Sequence, residues 1–324
     1  MSETTNTAAL ANKVFDEIFQ WLKWELCTPK DINWECCNQE KHNTKTHPSD
    51  IVFYYKDPYT GKTQYINTDL KSYKDVSINK NSMTNALKSL AMSIECATVS
   101  SEWQANYVSE DNHHIHGLLF VYNYDGSFEG NFYNKITAKV NAKNLDIPKG
   151  QFIAIFEPDT IQYLLNVCDD LKEEARKRKS TESNCYNFYY PNLFQNKTHS
   201  LDIYSATLES ILSPFMIVNF ADKYSHEYIV YYKESGDTIE EFSYLIDTLA
   251  VYQLLNDNDT VQVVLKAETS SNCMANFEKA KRLYAEKFGM SPNDDIFKNI
   301  TTKALALKHH YYDPKNERMS NEQN

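Results

Sequence analysis

Two short runs rich in β-branched and aromatic residues are separated by a dense turn signal. The first run is Ser49 to Tyr55 and the second is Thr63 to Tyr73. Between them lies Asp57-Pro-Tyr-Thr-Gly61, which combines several residues that favour turns. The pattern predicts a β-hairpin whose turn centres on Tyr59 and Thr60.

Other elements are predicted on both sides of this hairpin. Apolar residues recur at helical spacing from Asn12 to Cys27 and again from Asn81 to Asn106. Asp31 to Cys37 is typical of a first strand, and Gly117 to Tyr124 is typical of a buried strand. The predicted order is therefore a helix, three strands, a helix and a strand.

The predicted hairpin brings charged side chains together. A turn centred on Tyr59 and Thr60 places Asp50 directly opposite Asp69. Side chains alternate between the two faces of a strand, so Asp69 and Lys71 share one face. Opposed Cβ atoms in a sheet lie roughly 5 Å apart, which lets two carboxylates bind one hard divalent cation.

This constellation resembles the PD-(D/E)xK nuclease superfamily. The family has an acid at the start of one strand and acid-x-Lys on the next; here these are Asp50, one residue later than the literal Pro-Asp, and Asp69-Leu70-Lys71. The family often adds a glutamate from the preceding helix, for which Glu17 is the candidate and Glu25 the alternative. The resemblance covers roughly residues 12–125 and implies a restriction-endonuclease-like core, with a mixed sheet flanked by helices.

The resemblance also implies a chemistry. Asp50, Asp69 and Glu17 would bind Mg²⁺ (or Mn²⁺) for hydrolysis of a DNA phosphodiester. Lys71 would complete the catalytic set by stabilising negative charge at the phosphate, since a lysine beside two acids stays protonated. Separately from the resemblance, Lys74 and Lys80 belong to a basic stretch beside this site, and we expect them to bind the DNA backbone.

The tripeptide Asp-x-Lys carries little information by itself. It occurs three times, as Asp69-Leu-Lys71, Asp170-Leu-Lys172 and Asp313-Pro-Lys315. The second lies in a predicted helix, where residues i and i+2 diverge, and the third lies in a polar tail. Only the first lies on a strand with another aspartate opposite it.

Composition narrows the expected setting of this chemistry. The chain has 324 residues and a net charge of −11, and its first residues lack the basic and apolar pattern of a signal peptide. No apolar run reaches the ~20 residues of a membrane span, so we expect a cytoplasmic protein. The negative charge opposes tight binding to DNA by the chain alone and favours a homo-oligomer or an activating partner protein.

The seven cysteines do not form a recognised metal-binding spacing. Cys36 and Cys37 lie near His42 and His47, but the spacing fits no standard zinc finger. Adjacent cysteines on a strand also point to opposite faces. We therefore expect reduced structural thiols rather than a zinc site.

The pattern changes after residue 200. Two strands, a helix, a strand and a helix follow in order, which predicts a smaller α+β domain over residues 201–306, with a ferredoxin-like layout as one possibility. We expect a nuclease domain over residues 1–200, to whose sheet Tyr186 to Tyr190 could add a strand. Residues 307–324 form a polar tail. The second domain has no nucleotide motif and is interpreted as an interaction or oligomerisation module.

Two other interpretations stay open. His114 and His116 of the sequence HHIH resemble the histidine pair of rolling-circle relaxases, although no tyrosine nucleophile stands out. A catalytically inactive nuclease fold that serves as a scaffold or binding subunit of a defence complex is the second alternative. Among biological roles, anti-phage defence or restriction fits best, by analogy with other microbial nucleases.

Overall fold

The computed structural model describes residues 13–180, 183–191, 204–221, 226–266 and 272–308. These residues form two compact units. The first contains residues 13–57 and 62–165, and the second contains residues 58–61 together with the described residues from 166 to 308. In the described ranges, no helix has the length and apolar character needed to span a membrane.

The first unit is built around a five-stranded mixed sheet. The chain also forms a separate two-stranded ribbon. The strands are β1 (Glu25–Leu26), β2 (Ile32–Glu35), β3 (Thr46–Ser49), β4 (Ile51–Lys56), β5 (Thr63–Tyr73), β6 (His113–Asn123) and β7 (Ile153–Phe156). The sheet has the order β1-β4-β5-β6-β7, while β2 and β3 pair only with each other. Strand β5 is antiparallel to β4 and parallel to β6, which places it in the centre of the sheet.

Helices flank this sheet. They begin with a short π-helix at Phe15–Phe19, followed by α1 (Gln39–His42), α2 (Lys80–Ala97), α3 (Ser101–Tyr107), α4 (Phe132–Lys135) and α5 (Pro158–Lys177), the last of which crosses the division between the units. Short 3₁₀ turns lie at Asp75–Ser77, Thr137–Lys139 and Ala142–Leu145.

The two faces of the sheet bury different groups. On one face, Phe19 packs against Phe53, Phe120 and Phe156. On the other face, the apolar side of α2 packs against residues of β6 that include Leu119 and Val121. The predicted apolar positions of α2 are all buried: Ala86, Leu87, Leu90, Ala91, Ile94 and Ala97.

The second unit contains another five-stranded sheet. Its elements are β8 (Asn187–Phe188), α6 (Leu208–Leu212), β9 (Phe215–Ala221), β10 (His226–Tyr232), α7 (Ile239–Val251), β11 (Thr260–Leu265), α8 (Cys273–Lys287), α9 (Asp295–Lys298) and β12 (Ile300–Ala304), with a 3₁₀ turn at Ser183–Cys185. The order is β12-β11-β10-β9-β8, with β10, β11 and β12 parallel. Helix α7 begins with a capping box between Thr238 and Glu241.

The predicted fold class is confirmed: a mixed sheet flanked by helices is followed by an α+β region. Several details differ. The helix expected over 12–27 ends after Phe19, and the helix expected over 81–106 breaks near Val99, where Ser100 caps the next helix with its side chain. A ferredoxin-like layout is wrong for the second sheet because its last three strands run parallel.

Tyr186 to Tyr190 do not extend the first sheet. Strand β8 pairs with β9 and so belongs to the second sheet. The boundary between the two compact units lies near residue 165, whereas the sequence pattern places the domain boundary at residue 200. The assembly role of the second unit stays a prediction, and residues 309–324 of the predicted tail lie outside the described residues.

Candidate active site

The register of the central hairpin is the one predicted. Ile51 lies opposite Thr68, and Val52 lies opposite Asn67. Asp50 immediately precedes β4, so the same register continues to place it opposite Asp69. The turn signal and the alternation of residues are therefore sufficient to align the two acids.

Asp69 and Lys71 lie on one face of the central strand. Their Oδ1 and Nζ atoms are 2.5 Å apart, and their side chains are 13% and 30% exposed. Leu70, between them, is buried on the opposite face. Asn67 has the same alternation as Asp69 and donates a hydrogen bond from its amide nitrogen to Ser93 Oγ of α2 at 2.9 Å. The site thus lies on the α2 face of the sheet.

Two backbone hydrogen bonds hold Asp50 in place. The Leu70 N–H donates to Asp50 Oδ2 at 2.7 Å, and the Asp31 N–H donates to the Asp50 carbonyl oxygen at 2.9 Å. The first bond joins the two acidic segments directly. Sequence patterns carry no signal for it because every residue except proline has the same backbone donor.

The electrostatics at Asp50 are unfavourable to its ionised form. Burial and the neighbouring Asp69 carboxylate raise the pKa of Asp50 to about 7, against the opposing effects of the Leu70 N–H and Lys71. A hydrogen bond between the two carboxyl groups contributes to the same shift, since a protonated Asp50 donates to Asp69. Two carboxylates that share a site repel each other, which raises the pKa of one of them.

Lys71 carries its charge in this environment. Burial acts against the charge, but the Asp69 carboxylate outweighs burial and raises the pKa of Lys71 above its ordinary value. The ammonium group is therefore a fixed positive charge beside two acids. This supports an electrostatic role for Lys71 over that of a general base.

Glu17 is not joined to the other three residues. It lies on the π-helix and forms an ion pair with Lys13, at 3.8 Å between Nζ and Oε1. Glu17 makes no hydrogen bond or ion pair with Asp50, Asp69 or Lys71 within the described ranges. Phe19 of the same π-helix packs on the sheet face opposite the α2 face.

The alternative carboxylate also lies elsewhere. Glu25 belongs to β1 and not to a helix, and it accepts a hydrogen bond from the Tyr54 hydroxyl. The expectation that Glu25 extends from a helix is therefore wrong. The structure brings together Asp50, Asp69 and Lys71 of the predicted set, and a third carboxylate ligand stays a prediction.

The two lysines predicted to bind DNA are exposed near this site. Lys74 directly follows β5, and Lys80 is the first residue of α2. Neither lysine has a carboxylate partner among the residues that the structure describes. Their charges are available to an anion, although their contact with DNA stays a prediction.

The histidine pair on β6 has a structural environment. His116 is buried, its Nε2 lies 3.1 Å from Gln64 Oε1, and its ring stacks on Phe152 with centroids 4.0 Å apart. His114 lies against Lys62, with 3.1 Å between Nε2 and Nζ. The His116 ring is buried and stacked, and His114 faces an ammonium group. The pair therefore does not form an open metal site of the relaxase kind.

Comparison with known proteins identifies one match. Residues 1–160 match the family model described as "GAPS4 protein PD-(D/E)XK nuclease domain". The matched region contains the whole five-stranded sheet and all the residues of the Asp50, Asp69 and Lys71 site. No curated protein and no solved structure gives a significant match.

Proposed function

Because residues 1–160 belong to the PD-(D/E)XK nuclease superfamily, we propose that the chain is a divalent-metal-dependent endonuclease that hydrolyses DNA. The observation that carries this proposal is the convergence of Asp50, Asp69 and Lys71 at the central hairpin. Two acids and a lysine from neighbouring strands can bind a divalent cation and stabilise the charge that develops during phosphodiester hydrolysis.

The donor set fits Mg²⁺ or Mn²⁺. Both carboxylates offer hard oxygen ligands, and burial together with the Asp69 carboxylate raises the pKa of Asp50, so a bound cation would favour its ionised form. A bound divalent ion supplies Lewis-acid stabilisation of the phosphate and lowers the pKa of its water. The Leu70 N–H, which donates to Asp50 Oδ2, would hold this carboxylate in place beside the cation.

Lys71 stabilises charge on the phosphate. Its ammonium group is partly exposed and anchored by Asp69, so it can reach a substrate oxygen while staying protonated. Charge that develops on the phosphate oxygens would be stabilised by this group. Lys74 and Lys80 would bind neighbouring phosphates of the same strand.

The activity is expected to depend on assembly. A net charge of −11 repels a polyanion, so the isolated chain would be a weak nuclease. Self-association or an activating partner protein, with the second unit as the assembly surface, would align basic residues from more than one chain. A cytoplasmic role in anti-phage defence or restriction fits a nuclease that stays silent until it is assembled.

Cleavage of plasmid and linear DNA by the full chain tests this proposal. A dilution series with Mg²⁺, alongside the measured mass in solution, should show specific activity that rises with assembly. Lys71→Ala should abolish cleavage with little change in melting temperature, whereas Lys172→Ala, the lysine of the second Asp-Leu-Lys, should cleave normally.

Other results would favour the alternative. A scaffold subunit with an inactive nuclease fold would not cleave under any of these conditions and would bind its partners equally well after Lys71→Ala. Robust cutting by a demonstrated monomer, at constant specific activity, would contradict the dependence on assembly while leaving the nuclease assignment intact.

A further inference from the structure

A second group of potential ligands lies in the first unit, away from the carboxylates. Four side chains offer one nitrogen or sulfur atom each, and these atoms all lie within 4.8 Å of one another. All four residues are buried. We call this group the Cys₂His₂ cluster; its members are Cys36, His42, His47 and Cys96.

The distances among Cys36, Cys96 and His42 match the edges of a tetrahedral metal site. Zn–S bonds of ~2.3 Å and Zn–N bonds of ~2.0–2.1 Å give tetrahedral edges of ~3.8 Å between sulfurs and ~3.6 Å between sulfur and nitrogen. Here the Cys36 and Cys96 Sγ atoms are 3.8 Å apart. They lie 3.3 Å and 3.5 Å from Nδ1 of His42.

His42 has the orientation of a metal ligand. Its Nδ1 faces both sulfurs, and its Nε2 lies 3.3 Å from Glu95 Oε2. Lys41 in turn binds Glu95, with 2.8 Å between Nζ and Oε1. A carboxylate that accepts the second N–H of a histidine fixes the ring and its tautomer, as is common around zinc.

His47 is the second histidine of the cluster. His47 Nε2 is buried without a hydrogen-bond partner in the described part of the chain, and such groups are rare in folded proteins.

Other roles for the four residues fit less well. The two thiols are buried, at 2% and 0% exposure, so neither is placed to attack a substrate. Their sulfur separation of 3.8 Å is that of two non-bonded atoms, far from the ~2.05 Å of a disulfide. The donors are nitrogen and sulfur, which select zinc over the magnesium or manganese proposed for the carboxylate site.

We propose that the Cys₂His₂ cluster binds one structural Zn²⁺ ion. The ion would join the β2–β3 ribbon and α1 to the last turn of α2, because the ligands come from these elements. His47 lies three residues before Asp50 in the sequence, so the same ion would fix the segment that delivers Asp50 to the hairpin. With four protein ligands, it would leave no position for substrate.

Spacing along the sequence does not reveal this site, because the adjacent Cys36 and Cys37 fit no standard zinc finger. The fourth ligand, Cys96, lies on a helix sixty positions further along the chain. Cys37 is exposed and does not belong to the cluster.

Metal analysis of the purified full chain tests the proposal. Elemental analysis should find one zinc ion per chain in the parent and in Cys37→Ser, which is the matched control. Cys96→Ser should lose the zinc. Asp69→Asn should keep it, which separates this site from the proposed nuclease site.

A second measurement covers the case in which Cys96→Ser fails to fold. Parent protein expressed with Co²⁺ in place of Zn²⁺ should show the visible absorption of tetrahedral cobalt and a thiolate charge-transfer band. The proposal would be overturned if the folded parent contained no zinc and its cobalt form gave no four-coordinate signal. In that case both buried thiols would react with a thiol reagent on unfolding, and no metal would be released.

Discussion

The described chain contains Asp-Leu-Lys twice, and the two copies make different interactions. On strand β5, Asp69 and Lys71 lie on one face and form an ion pair. On helix α5, Asp170 instead binds Lys303 and the Tyr231 hydroxyl, while Lys172 pairs with Asp169 at 3.4 Å. The same three residues therefore form a common site only on a strand, where positions i and i+2 share a face.

The two copies of the tripeptide also differ in the charged groups that surround them. Around Asp170 and Glu174, lysine and arginine side chains from three positions satisfy the acids: Lys177, Arg178 and Lys303. Although burial opposes it, hydrogen bonds from these cations lower the pKa of Glu174 to about 2. Asp50 has a second carboxylate as its neighbour and a raised pKa. A balanced network stabilises the fold, whereas an unbalanced pair is suited to binding a cation.

The largest expected effect is on cleavage. Asp69→Asn should lower the rate of DNA cleavage by on the order of 10³-fold, because it removes a ligand and the anchor of Lys71. Asp169→Asn on α5 serves as the control and should cleave like the parent. Equal loss in both variants would show that the strand copy has no special role.

The helix copy should instead matter for stability. Asp170→Asn removes the carboxylate that accepts hydrogen bonds from Lys303 and the Tyr231 hydroxyl. This substitution should lower the free energy of unfolding by about 2 kcal/mol. Urea denaturation of both variants provides the measurement. Asp69→Asn should unfold at the same urea concentration as the parent or slightly above it, since it relieves carboxylate repulsion; a larger loss there than at Asp170 would contradict the comparison.

The pH dependence of stability should distinguish the unbalanced pair. The pKa of Asp50 is raised in the folded state, so the folded protein binds this proton more tightly than the unfolded chain does. In buffer without added divalent cations, the contribution of Asp50 to stability is present at low pH and lost as the pH rises from about 4 to about 7. Asp50→Asn should remove that component of the pH profile.

Melting temperatures of the parent and Asp50→Asn across this window provide the measurement. The difference in the free energy of unfolding, obtained from these melting temperatures, should grow toward neutral pH. It should reach on the order of 1 kcal/mol after allowance for solvent screening. Added Mg²⁺ should abolish the difference in slope. Parallel pH profiles for the two proteins would mean that the pKa of Asp50 is not raised in the folded state.

The smallest expected effect concerns the exposed lysines. Replacing Lys74 and Lys80 with alanine should weaken DNA binding a few-fold and reduce the slope of log K against log salt by about 2. Fluorescence anisotropy without Mg²⁺ measures both quantities. The matched control is Lys279→Ala with Lys287→Ala on α8, whose slope should equal that of the parent.

The sequence predicts the central hairpin well because its determinants are local. The turn at Asp57 to Gly61 and the alternation of side chains set the register, and the register alone aligns Asp50 with Asp69. The apolar stripe of α2 is similarly local, and its buried face is the predicted one. The helix containing Glu17 was harder to predict because Trp21, Leu22 and Trp24 continue the apolar pattern beyond its end while belonging to the core.

Features that depend on distant residues could not be predicted. Strand β8 has only two residues, and it joins the second sheet through pairing with β9, which no local pattern encodes. The Cys₂His₂ cluster requires Cys96 to lie beside a ribbon that precedes the hairpin. Packing, and not spacing along the chain, creates that site.

Binding of Mn²⁺ measured by calorimetry tests the central claim most directly. The parent should bind one ion at the carboxylate pair with an affinity that Asp69→Asn reduces at least tenfold, since one of two acidic ligands is lost. Asp170→Asn, the same substitution in the helix copy of the tripeptide, should bind Mn²⁺ like the parent wherever it stays folded. Equal binding by the parent and Asp69→Asn would contradict the assignment of Asp50 and Asp69 as the metal ligands of a nuclease.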